Sequence, residues 1–150
     1  MQIMMYAALL AVSIFSMYSV LAFADSAKTP AATVDRPTVE AAAQASLAWL
    51  KLFDQGKYGD SWDKGSSLLK GSIEREGWVQ MQNQTHKPFG SVIKREVADE
   101  RFAKNPHGLP PGDYMVMVYR TTFSNKKSAI EIVTLFLEKG HWSVVTYQAS

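Results

Sequence analysis

From Thr38 the apolar residues recur at three- and four-residue steps, so that Val39, Ala42/Ala43, Ser46, Leu50 and Phe53 line one face of a helix. Pro37 suits the first turn and Gly56 follows the end, which bounds that helix at about residues 38–53. Tyr58 and Trp62 stand four apart, Ser66 and Leu69 continue their face, and a second helix is predicted over Tyr58–Leu69. Gly71-Ser72 then breaks the chain and caps a third helix from about Ile73 to Thr85. Glu74 and Glu76 fall in its first turn, where carboxylates favour the dipole, and Trp78 and Met81 point to the core.

After Pro88-Phe89-Gly90 the period shortens toward two. Ser91–Phe102 reads as a long strand with a strongly charged face. Ala103–Asp113 holds too much Pro and Gly for a central strand and is a loop. Tyr114–Phe123, Ala129–Glu138 and Trp142–Tyr147 are rich in β-branched and aromatic residues, and Ser124–Ser128 and Lys139-Gly140 join them as two hairpins in succession. Helices first and a meander second predict an α+β fold, with N-terminal helices packed on one face of a curved four-stranded antiparallel sheet.

Upstream, Met4–Phe23 is almost wholly apolar, no charged residue precedes Asp25, and Ala22-Phe23-Ala24 ends the stretch. This is the pattern of a signal peptide over residues 1–24 with a small-x-small cleavage site, its positive charge supplied by the terminal amine alone. The alternative is an uncleaved anchor, since about 20 apolar residues can cross a bilayer. That segment is the route by which the chain would meet a membrane. Ser13, Ser16 and Ser19 and the small residues at the end favour cleavage. Residues 25–37, rich in Ala, Thr and Pro, read as a flexible linker, which leaves 38–150 as a single domain.

Charge and cysteine content narrow the function classes. Sixteen Lys and Arg against 14 Asp and Glu, spread from Lys28 to Lys139, form no dense basic stripe, which argues against nucleic-acid binding. With no cysteine there is no disulfide framework, thiolate nucleophile or zinc-thiolate site. His86, His107 and His141 fall in a helix end, a loop and a hairpin turn without ligand spacing, so neither metal nor cofactor is expected. No nucleophile elbow or dinucleotide fingerprint occurs. Trp49, Trp62, Trp78 and Trp142 have the spacing of core residues.

An ordered series of motifs runs through the chain: Trp49-Leu50, Asp54, Gly56, Tyr58, Trp62, Trp78, Pro88-Phe89-Gly90, Arg95, Gly112-Asp113-Tyr114, Thr121-Thr122-Phe123, Glu131, Val133-Thr134-Leu135 and Trp142–Tyr147. In this the chain resembles the bacterial exported "domain of unknown function 4019" family. His86 stands where that family usually has Arg before the Pro-aromatic-Gly corner, and Thr146 where it usually has Gly. The resemblance implies a small periplasmic α+β domain of nuclear-transport-factor-2-like (cone-like) or cystatin-like type, with no established activity.

Among polar residues Glu131 carries the most information, because alternation places it on the face of Val133, Leu135 and Leu137. A carboxylate there is either paired or functional. A two-residue turn at Asn125-Lys126 sets Arg120 opposite Glu131, and a three-residue loop brings Thr121 there instead. With Lys139-Gly140 as the next turn, Leu137 faces Trp142, Leu135 faces Val144 and Glu131 faces Gln148. The apolar face thereby ends in Glu131, Gln148 and either Arg120 or Arg95. One reading is a structural ion pair closing the sheet end; the other is a pocket floor whose carboxylate acts as base or ligand anchor. Tyr147 would face Ile132, away from Glu131, unless the strand bulges. Asp54 and Asp60 are expected to bond the turn that follows the first helix, and Asp63 to be solvated. The expected function is a non-enzymatic binding or interaction module with a protein or small-molecule partner, the alternative a pocket enzyme or ligand carrier using Glu131.

Overall fold

The computed structural model describes residues 36–150; the predicted leader and all but the last two residues of the predicted linker lie outside them. Four helices come first: α1 (Arg36–Asp54), α2 (Tyr58–Asp63), α3 (Ser67–Ser72) and α4 (Arg75–Thr85). A 3-10 turn at Lys87–Phe89 leads into β1 (Val92–Lys104), β2 (Asp113–Phe123), β3 (Ala129–Glu138) and β4 (His141–Ala149). The strands form one antiparallel sheet in the order β1-β2-β3-β4, so the chain has the α+β fold its pattern predicts. Among the described residues no helix is long and apolar enough to cross a membrane.

Helix α1 buries Ala42, Ser46, Trp49, Leu50 and Phe53, the predicted stripe with Trp49 added. It lies across β2, β3 and β4 and meets Met115, Met117, Tyr119, Val133, Leu135, Val144 and Tyr147 in one core. The second predicted helix is two helices. Gly65 and Ser66 interrupt it, and Ser66 caps α3 by accepting from the Leu69 amide at 3.2 Å. The Ser66 amide also donates to the Val144 carbonyl at 2.9 Å, tying this turn to β4. Ser66→Ala should therefore lower stability by about 1 kcal/mol, read as a shift in the urea midpoint; no shift would mean that the cap contributes nothing.

Gly90 follows the Pro88-Phe89 corner with a φ of 80°. A Cβ there would lie 2.1 Å from Ser124 Oγ, because the corner docks on the β2–β3 connection through Asn125 N to Phe89 O at 3.0 Å and Ser124 N to Ser91 O at 2.8 Å. Only glycine permits that approach. Gly112 has the same reason: a Cβ would meet Phe136 at 2.3 Å, where the β1–β2 loop folds over the outer face of the sheet.

Candidate functional site

Strand alternation carries Glu131 to the core side of β3, where it is fully buried. Arg95 reaches it from β1. Its Nε donates to Glu131 Oε2 at 2.6 Å and its Nη2 to Oε1 at 3.1 Å. The far side of the same guanidinium grips Asp54, the last residue of α1, with Nη1 to Oδ2 at 2.7 Å and Nη2 to Oδ1 at 2.8 Å. One planar cation thus holds two carboxylates, each at two oxygens. Tyr147 on β4 donates to Glu131 Oε1 at 2.7 Å, and the Thr121 hydroxyl on β2 donates to Oε2. Each carboxylate oxygen of Glu131 accepts two hydrogen bonds, so its acceptor capacity is filled.

Electrostatics keeps the donors in their donating forms. Burial alone would lower the Arg95 pKa, but the hydrogen bonds and charges of Asp54 and Glu131 leave it raised. Burial raises the Tyr147 phenol, and the negative charge of Glu131 raises it further. Tyr147 therefore remains a proton donor throughout the neutral range.

The network ties the end of α1 to all four strands, and its members are spread along the chain from residue 54 to residue 147. The sequence profile of DUF4019, described as a protein of unknown function, matches residues 45–147 and so spans every one of them. The chain belongs to the DUF4019 family. No curated protein matches it.

Within this DUF4019 chain the structure brings together two of the four residues singled out from sequence, Glu131 and Arg95. Arg120 and Gln148 are elsewhere. The β2–β3 register sets Tyr119, not Arg120 or Thr121, opposite Glu131, because five residues separate the two strands. Arg120 faces Ile130 on the outer side of the sheet and is exposed. Between β3 and β4 the expected pairs Leu137–Trp142 and Leu135–Val144 form, but the register then shifts, and Thr134 pairs with Thr146. Val145 is the extra residue of a bulge. Gln148 consequently lies opposite Ile132 and is exposed, while Tyr147 turns inward opposite Val133.

Asp54 serves Arg95 and not the turn after α1, and Asp63 is not simply solvated but pairs with Arg75 at 3.1 Å. The signal for Asp54 was present in the sequence. It continues the Ser46–Leu50 step by four residues, which puts a carboxylate at the exposed end of the helix face that packs on the sheet.

His86 lies beside this network, walled by Phe53, Phe123, Tyr147, Tyr58 and Phe89 with ring centroids 4.5–6.0 Å away. Its Nδ1 is 3.1 Å from the Tyr58 hydroxyl, and its Nε2 has no partner among the described residues. Burial lowers its pKa, opposed by Glu131 and Asp54 and assisted by Arg95. Below about pH 6.5 the unfolded chain accepts a proton that the fold refuses. Stability should hold above that pH and fall on acidification by up to about 1.4 kcal/mol per unit, until the folded imidazole itself protonates. Urea unfolding from pH 8 to 5 should show that slope in the parent protein and a flatter one in Tyr58→Phe/His86→Phe. Equal slopes would remove His86 as the cause.

Proposed function

We propose that this DUF4019 chain is exported to the bacterial periplasm and acts there as a non-enzymatic binding or interaction module. The apolar stretch Met4–Phe23, ending in Ala22-Phe23-Ala24, supports export. One observation carries the non-enzymatic reading: the acceptor positions of Glu131 are taken by Arg95, Thr121 and Tyr147. A general base needs a free lone pair within reach of a substrate proton, and this carboxylate has none. Glu131 instead takes part, through Arg95, in clamping helix to sheet.

Binding then falls to the surface. The β1 edge is poorly suited to it, because register shifts at Val92/Lys94 and Val97/Asp99 interrupt the ladder, and charged side chains crowd the strand. The β1–β2 loop is better placed: Asn105 N to Gly112 O and Gly112 N to Asn105 Oδ1, both 2.8 Å, hold its neck, and its residues are largely exposed.

Native mass spectrometry of the chain recovered from the periplasmic fraction tests both parts. A mass lacking residues 1–24, with a non-covalent adduct or partner absent under denaturing conditions, is the expected result. Recovery of the chain from the cytoplasm alone would overturn the export reading. Turnover of a substrate that Glu131→Gln abolishes without unfolding the protein would overturn the non-enzymatic one.

A further inference from the structure

Helix α1 presents Ala45, Ala48 and Leu52 toward the start of β4, beside its buried stripe. Because two of these side chains are single methyl groups, helix and strand leave a groove of about 310 Å³ between them, with Trp142 on the strand side. The far wall is the turn after α2, fixed by Ser66 N to Val144 O at 2.9 Å and Ser67 N to Glu138 Oε2 at 3.1 Å. Apart from Lys64 and Ser143 the walls are alanine methyls, Leu52, Val144 and two indoles, so water there gives up few hydrogen bonds on leaving and an apolar body gains by replacing it. The volume lies at the small end of ligand sites, about right for one short alkyl chain or one ring.

Charge decides the class of ligand. Among the described residues the groove is lined by one charged residue, Lys64, and by no carboxylate. Lys64 is exposed at the end of α2. Lys70 nearby is committed, its Nζ on the Asp63 carbonyl at 2.8 Å and 5.5 Å above the Trp62 ring. The ammonium of Lys64 makes no salt bridge among the described residues, although its charge acts on the neighbouring Asp63 carboxylate, which Arg75 already holds. The backbone amides of Lys64, Gly65 and Ser66 already donate to Asp60, Trp62 and Val144, so among the described residues the lysine side chain is the charged donor lining the groove, beside the neutral Ser143 hydroxyl and Trp142 indole.

We propose that this groove binds a small amphiphile carrying one negative charge, of the medium-chain carboxylate class. The alkyl body lies on Ala45, Ala48, Leu52 and Trp142, and the carboxylate meets Lys64. This rests on the binding-module reading and names its ligand. None of Asp54, Arg95, Glu131 or Tyr147 lines the groove, so occupancy and the buried network are separable.

Titration calorimetry on the whole chain, with octanoate, octylammonium and octan-1-ol as probes, tests it. Octanoate should saturate one site per chain and bind up to about fivefold more tightly than octylammonium. Lys64→Glu, at an exposed position, should reverse that order. Ala48→Trp should abolish binding while leaving the unfolding temperature in place. The proposal is overturned if octanoate fails to saturate, if Ala48→Trp binds it as the parent does, or if Lys64→Glu leaves the order of the probes unchanged. Failure here together with a ligand or partner retained in the native mass spectrum would strike the groove and spare the binding-module reading.

Discussion

Arg95→Ala will lower the stability of the fold by about 3–5 kcal/mol, the cost of removing one partner from a buried ion pair. Glu131 is fully buried, and the Arg95 side chain is 10% exposed. Without the guanidinium, Glu131 keeps the Tyr147 and Thr121 hydroxyls but loses the cation, and Asp54 loses its hold on the sheet. Arg95→Lys should recover a small part, since a single ammonium cannot grip two carboxylates at two oxygens each. Arg95→Met/Glu131→Leu should recover more, because filling the site with apolar side chains removes the desolvated charge altogether. Urea unfolding of the three variants makes the comparison. A loss below about 1 kcal/mol for Arg95→Ala would place the pair with ordinary surface salt bridges. Lys94–Glu96 and Arg101–Asp99, which are largely exposed on the same strand, supply that reference.

The same network marks where sequence reasoning stops. Alternation along β3 was enough to bring Glu131 inside, and the strand limits of β2 and β3 needed no correction of more than one residue. The partner of Glu131 was not legible, because cross-strand pairing depends on the length of the β2–β3 connection. A slip of one residue exchanges Arg120, on the outer face, for Tyr119, on the inner. Tyr147 depended on a single inserted residue. Val145 sits in a run of β-branched residues with no glycine to mark a bulge, so local propensity gave no sign of it. Once the bulge is present, Tyr147 joins Glu131 and Gln148 is carried to the surface. By local sequence Asp54 reads as a turn residue, because short polar side chains beside a glycine usually bond their own backbone. The competing signal, its place in line with the buried stripe of α1, turns it toward the sheet but does not name its partner, Arg95, 41 residues on.

Because Arg95 joins the last turn of α1 to β1, the network answers a mechanical problem of the fold. The helices lie over β2, β3 and β4, while β1 is mostly exposed along its length. A long edge strand held by one ladder is prone to fray. Its two anchors toward the core are Phe102 near one end, partly buried against the core, and Arg95 near the other. Through Arg95, Asp54 and Glu131 thus secure the strand least protected by packing.

Phe53→Ala is the second large effect expected, at about 3–5 kcal/mol for a truncated core aromatic. Phe53 is fully buried and immediately precedes Asp54, so the last turn of α1 supplies both the centre of the aromatic cluster and one end of the ionic network. Its ring lies 4.3 Å from Tyr147, 4.5 Å from His86, 4.8 Å from Trp49, 5.0 Å from Tyr58 and 6.0 Å from Trp78. A cavity there is bounded by rings held through their own hydrogen bonds. Trp49 Nε1 donates to Ser61 O at 2.8 Å and Trp78 Nε1 to Ser61 Oγ at 3.1 Å, so these walls cannot collapse inward without breaking them. Phe53→Leu keeps most of the volume and should cost distinctly less. The cavity should also loosen Tyr147 and weaken its bond to Glu131. A double-mutant cycle between Phe53→Leu and Tyr147→Phe should then give a coupling of at least about 0.5 kcal/mol. Additive effects in that cycle would mean that the aromatic cluster and the carboxylate network stabilise the fold independently, and that Tyr147 is positioned by its own strand.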